Sequence, residues 1–145
     1  MNEQIEALND YMSNLKVEIN NLYNMHFNIV GSSFYGLHKK LMEFYDTIST
    51  MYDNVAERIK MKEGFPITSL KEMENKSQIK SMISQNYTGN QILDVLQNDF
   101  SYLSLYTTDL IEYFNKINDF YTSNMLTENL SFFEKELWMI KSSLK

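Results

Sequence analysis

The chain has 145 residues, 43% of them hydrophobic, with 4 Gly, 1 Pro, 2 His and no Cys; 13 basic against 19 acidic side chains leave a formal charge of -6. At that length one domain, residues 1–145, is expected; so little Gly and Pro excludes a hairpin-rich sandwich or barrel, and the missing cysteines exclude disulfides, thiolate metal sites and a cysteine nucleophile. The acidic excess argues against a broad electrostatic grip on nucleic acid, which needs a basic surplus on some face.

The opening stretch carries Glu3 and Glu6 and no basic residue, unlike the charged start of a signal peptide. No run approaches the roughly 18 apolar residues of a membrane span, and a cytoplasmic protein is expected. From Ile5 to Ile29 the residues Leu8, Met12, Leu15, Ile19, Leu22, His26 and Ile29 recur at spacings of four and three, the seam of an amphipathic helix about 37 Å long. Gly31-Ser32-Ser33 ends it, with Gly suited to a left-handed cap and Ser to a new N-cap. A second seam, Phe34, Leu37, Leu41, Phe44, Ile48, Met51, Val55 and Ile59, runs to the stop signal Gly64 and Pro66.

Residues 65–89 are polar and weakly periodic, with short helical turns expected in Thr68–Asn75 and Ser77–Ser84. Thr88 or Asn90 can cap a third helix through Ile92, Leu96, Phe100, Leu103, Tyr106, Leu110 and Tyr113, broken near Asn118-Asp119. A fourth runs from about Ser123 to Ser143. Two helices joined tightly, one long crossover and two more helices make an all-α, ferritin-like four-helix arrangement, with a short helical segment in the crossover between helices 2 and 3.

His26 and His38 flank the tight turn and so share one end of the first hairpin. Further along the second helix, Asp53 and Glu57 stand i, i+4 on one face. Imidazole nitrogen mixed with carboxylate oxygen suits iron, zinc or manganese and not a soft metal. A seam histidine can equally be a hydrogen-bonded core residue, and the two carboxylates a solvated face beside Arg58 and Lys60. His38 and Asp53 are 15 residues apart, about 22 Å along a helix, so one chain cannot bring all four groups to one ion.

The stretch His26-Phe27-Asn28-Ile29-Val30-Gly31, then Phe34, then Leu37-His38, resembles the HWN-x-x-G, F, LH signature of the Dps family, the mini-ferritins. Tyr45-Asp46 followed by Asp53-Asn54-Val55-Ala56-Glu57-Arg58-Ile59 is similar to that family's YD and D-x-x-AER segments. Gly64-Phe65-Pro66 with Ser69-Leu70-Lys71-Glu72 resembles its G-x-P and TLKE connection. Lys135-Glu136-Leu137-Trp138-Met139 resembles its K-H-x-W-M ending, with Glu136 for the His.

The resemblance implies a homo-dodecameric cage with a ferroxidase centre at each two-fold interface. There His26 and His38 of one subunit and Asp53 and Glu57 of its neighbour would be the catalytic and metal-binding groups. Such cages oxidise Fe(II) with hydrogen peroxide or dioxygen and store Fe(III) oxide. Three positions depart from the family. Met42 stands where a carboxylate usually completes the ligand set, and a thioether is a poor partner for Fe(III). Phe27 replaces a Trp, and Lys39 a Glu. The competing expectation is a structural cage without ferroxidase chemistry that binds another divalent metal such as zinc, or none. The basic arms of the family's DNA-binding members have no counterpart in the acidic opening, so DNA binding is not expected.

Overall fold

The first apolar seam becomes helix α1, Asn2–Asn28, and the second becomes α2, Phe34–Met61, in a computed structural model that describes residues 2–145. These helices belong to a first compact unit, residues 2–89; a second comprises residues 90–145. Leu8, Met12, Leu15, Leu22 and Met25 of α1 and Leu41, Ile48, Val55 and Ile59 of α2 are wholly buried. At about 1.5–3 kcal/mol for each such side chain, this seam outweighs any single polar contact in the unit. His26 lies against His38, Tyr23 against Tyr45, the Lys16 ammonium over Tyr52, and Gln4 against Lys62. Each step back along α1 meets a step forward along α2, so the hairpin is antiparallel.

The turn between them differs from the seam reading, which carried the first helix to Ile29. Ile29–Val30 form a two-residue strand, β1, paired in parallel with β2, Tyr87–Thr88. Ile29 is buried by this bridge and not by continuing the helix. Gly31 takes the left-handed φ of 103° that its lack of a Cβ allows. Ser33 occupies the N-cap position of α2, yet its side chain makes no capping bond, because its φ and ψ of -86° and 3° are not the extended values that aim the hydroxyl at the helix. At the far end of α2 the left-handed residue is Glu63, φ 66°, and Gly64 donates its N–H to the Ile59 carbonyl at 2.9 Å. Gly64 is required for a different reason: a Cβ there would fall 2.7 Å from the Ile5 side chain.

The connection holds one helical segment, α3, Leu70–Lys76, started by Ser69, whose side chain accepts the Glu72 N–H. The second expected segment, Ser77–Ser84, is not helical. Its backbone is bonded instead by asparagines of α1. Asn14 Oδ1 accepts from the Ser77 hydroxyl and the Gln78 and Ile79 N–H groups. Asn21 donates to the Lys80 carbonyl and accepts the Met82 N–H, both at 2.9 Å, pairing with backbone two residues apart as a neighbouring strand would. Asn9 does the same with Phe65 and Ile67.

Helix α4 runs Gly89–Lys116, all but its first residue in the second unit, and α5 runs Phe120–Ser143. Phe100 of α4 meets Phe133 of α5 edge to face at 5.4 Å, and both are fully buried. The break at Asn118 (φ 60°) is followed by Asp119 as N-cap, accepting the Thr122 N–H at 3.1 Å and the Thr122 hydroxyl at 2.6 Å. This cap starts α5 three residues before the predicted Ser123. No helix among the described residues is long and apolar enough to cross a membrane.

Candidate metal centre

The two histidines meet face to face where the α1–α2 hairpin turns. Their ring centres are 3.8 Å apart with planes 13° from parallel. Each ring is held by the other residue's backbone: His26 Nδ1 lies 2.6 Å from the His38 carbonyl, and His38 Nδ1 lies 2.6 Å from the His26 carbonyl. A carbonyl only accepts, so each Nδ1 carries the hydrogen. In the neutral ring Nε2 then holds the lone pair. Position in the helix explains why the His26 carbonyl can serve: it lies in the last turn of α1, where carbonyls lack a donor from the helix itself. Neither Nε2 has a hydrogen-bond partner among the described residues.

Aromatic rings fix this pair further. Phe34 stacks on the far side of His38 at 4.8 Å, giving a run of three rings, Phe34, His38, His26. Tyr45 sets its edge to His26 at 5.3 Å and stacks on Tyr23 at 4.0 Å. Withdrawal from water, then Tyr23 and Asp46, raise the Tyr45 phenol above the ordinary tyrosine pKa. Phe27, at the position where the resembled signature has Trp, is two-thirds exposed and tilted beside His26 at 5.5 Å. His26 itself is buried and His38 half-buried. An anchored imidazole pair with two lone pairs uncommitted fits a borderline or moderately hard divalent ion, provided that oxygen ligands complete the shell.

Within this chain the structure brings together His26 and His38 and does not bring Asp53 or Glu57 to them. Among the described residues no three His, Asp or Glu side chains converge on one point. Asp53 and Glu57 are exposed on α2, four and five turns beyond His38, as helical rise requires. Met42, one turn after His38, is 39% exposed. Glu43 is occupied by Lys40 at 3.2 Å. Sequence reasoning missed two features of the site. One is the pair of backbone carbonyls, which leave no trace in residue type. The other is the contact of Tyr45 with His26, whose signals were the place of Tyr45 two turns after His38, on the same face of α2, and its membership of the Tyr45-Asp46 motif.

A family model described as a ferritin-like domain matches residues 5–145. General stress protein 20U of Bacillus subtilis (strain 168) is 30% identical over 145 residues, 99% of each chain. The crystal structure of Dps from Staphylococcus aureus is similar with a TM-score of 0.95 at 29% identity, over 100% of this chain and 97% of that one. The Dps protein from Vibrio cholerae O1, described as a member of a broad superfamily of ferritin-like diiron-carboxylate proteins, has a TM-score of 0.95 at 29% identity, over 99% and 90%.

Proposed function

The chain belongs to the ferritin-like family, in its Dps branch, and from that premise we propose that it is a ferroxidase of the mini-ferritin type. As one domain spanning residues 1–145, it would assemble in the cytoplasm as a homo-dodecamer and take Fe(II) as its substrate. His26 and His38 of one subunit would hold the ion through Nε2, while Asp53 and Glu57 of the neighbouring subunit supply oxygen. Length supports the intersubunit arrangement: Asp53 and Glu57 stand about 22 and about 28 Å along α2 from His38, so a site that holds all four groups needs a second copy. Neutral imidazoles bind without adding charge. The carboxylates favour the harder Fe(III) product and so assist loss of the electron to peroxide or dioxygen.

The observation that carries this reading is the reciprocal Nδ1 anchoring of the two rings, which commits one nitrogen of each to structure and leaves the other for metal. Protein loaded with Fe(II) without oxygen and then given peroxide should show faster growth of ferric absorbance than a protein-free control; equal rates would overturn the reading. A native mass near about 206 kDa, twelve times 17.2 kDa, supports the cage, and a stable monomer removes the shared site.

Met42 favours a second reading, a cage that binds zinc or another divalent ion, or none, without oxidising iron. An exposed thioether where an oxygen ligand is needed leaves the shell one anion short. Retention of zinc together with no ferric growth would select it. DNA binding is not part of the proposed function. Each chain carries a charge of -6, about -72 for twelve, and a gel shift persisting at about 150 mM salt would contradict this.

A further inference from the structure

Three consecutive residues of the connection lie against the turn that joins the two histidine-bearing helices. Tyr87 and Thr88 pair with Ile29 and Val30 in the parallel bridge. Gly89, the first residue of α4, sits against Ser33 at the start of α2. Tyr87 is buried and donates its hydroxyl to the Ile83 carbonyl, and Gly89 is buried as well. The segment is therefore fixed on its own side where it meets the turn.

Backbone conformation does not require a glycine at position 89. Gly31 is the glycine with a left-handed φ, whereas Gly89 keeps a conformation open to any residue. What Gly89 lacks is a Cβ, and the space for one is taken. That atom would fall 2.7 Å from Ser33 Oγ and 2.8 Å from Ser33 Cβ, with the Leu37 side chain at 3.9 Å. The Ser33 hydroxyl can swing aside, but its Cβ is fixed to the backbone. Carbon atoms rest about 3.5–4.0 Å apart, so a methyl on residue 89 would push the Ser33 backbone away by about 0.7 Å or more.

Ser33 does not move alone. Its carbonyl accepts the Leu37 N–H at 3.0 Å, which ties it to the first turn of α2, and His38 follows Leu37. The anchoring bonds have little slack: each Nδ1 lies 2.6 Å from its carbonyl. A further 0.7 Å would put them at about 3.3 Å, past the usual range for nitrogen and oxygen. The bonds are reciprocal, so both rings lose their hold together. We propose that Tyr87–Gly89 is the template of the imidazole pair and that Gly89 is its positioning residue. By carrying no side chain it lets α2 begin at the depth where His38 and His26 reach each other's carbonyls, and this fixes where the two Nε2 lone pairs point. The inference goes beyond the ferroxidase reading and rests on its metal site only for the zinc measurement below.

The test compares the full-length protein with Gly89→Ala, Ser33→Gly and the double variant of both, and uses Gly36→Ala as control. Gly36 lies in α2 between Ser33 and His38, and a Cβ added there meets nothing within 4 Å. Ser33→Gly removes both atoms that the new methyl would strike. Solid-state NMR of metal-free protein labelled with 15N at histidine reads the ring N–H proton shifts, and calorimetry with zinc reads affinity. In Gly89→Ala both ring N–H protons should move upfield together. Zinc affinity should fall about 10- to 100-fold, as on loss of a ligand's outer hydrogen bond. Ser33→Gly and Gly36→Ala should keep the wild-type ring signals, and the double variant should recover both readouts. Wild-type ring signals in Gly89→Ala, an equal disturbance in Gly36→Ala, or a loss that Ser33→Gly does not repair each overturns the proposal. If Gly89→Ala does not fold, the double variant decides: it should fold with wild-type ring signals, and disturbed signals or no fold overturn the proposal. Absence of zinc binding by the wild type strikes instead at the metal-site reading and leaves the ring signals to decide.

Discussion

Helix α1 uses the same device at two places and reaches different ends with it. Along one face Asn9, Asn14 and Asn21 bond to the backbone of the connection between Phe65 and Met82. Near its C-terminus His26 bonds a backbone carbonyl of α2, and His38 returns the bond. The amides of Asn9 and Asn21 engage both donor and acceptor. Each imidazole engages one nitrogen and keeps the other lone pair. A polar side chain satisfied on both sides is a structural clamp. One satisfied on a single side is oriented for a ligand, and its bond works as a gunsight.

Substitutions that separate anchoring from ligation break this comparison most sharply. His38→Asn retains an N–H near the position of Nδ1 and has nothing at Nε2, so it should keep the thermal midpoint while ferric growth falls to the protein-free rate. His38→Gln should do the reverse to the anchor and lower the midpoint. On the clamp side, Asn14→Ala leaves the Gln78 and Ile79 N–H groups without their acceptor, while the Ser77 hydroxyl keeps the Ile79 carbonyl at 2.6 Å; at about 1–3 kcal/mol for an orphaned buried group, a loss of about 2–3 kcal/mol in denaturant unfolding is expected, with iron chemistry intact. Asn21→Ala removes two bonds at the edge of the connection and should cost about 1–2 kcal/mol, with faster amide exchange at Met82.

Met42→Asp would restore an oxygen one turn after His38 and should raise the rate of ferric growth, a smaller change than loss of either histidine; an unchanged rate would show that the missing anion does not limit the site. The smallest effect concerns Tyr45. Its raised pKa means that the neutral phenol favours the folded state, so its contribution is present below the ordinary tyrosine range and is lost as pH rises through the raised value. Tyr45→Phe should remove one late-ionising component of the tyrosinate absorbance titration.

Apolar spacing was enough to read the four long helices, because burying Leu8, Met12, Leu41 and Ile48 decides the fold energetically. It was not enough for the connection. Asn9, Asn14 and Asn21 sit among the seam residues as polar interruptions, and their partners lie 56 to 65 residues away, a distance that periodicity does not bridge. Ser77–Ser84 therefore looked locally helical although distant amides hold it extended. At the candidate site, the shared location of His26 and His38 was legible from the turn at Gly31. Their mutual anchoring was not, since it depends on an unpaired carbonyl at a helix end, and helix ends are set by caps and bridges such as Ile29–Tyr87 that sequence spacing places only within a residue or two.

The central claim is that both histidines are locked with hydrogen on Nδ1 and the lone pair on Nε2. With only two histidines in the chain, the nitrogen resonances of the full-length protein labelled with 15N at histidine, recorded by solid-state NMR, test it directly. The account predicts two protonated Nδ1 signals and two unprotonated Nε2 signals, with the Nε2 signals alone shifting strongly when zinc is added as a diamagnetic probe. Hydrogen found on Nε2 in either ring, or Nε2 signals that zinc leaves in place, would contradict it.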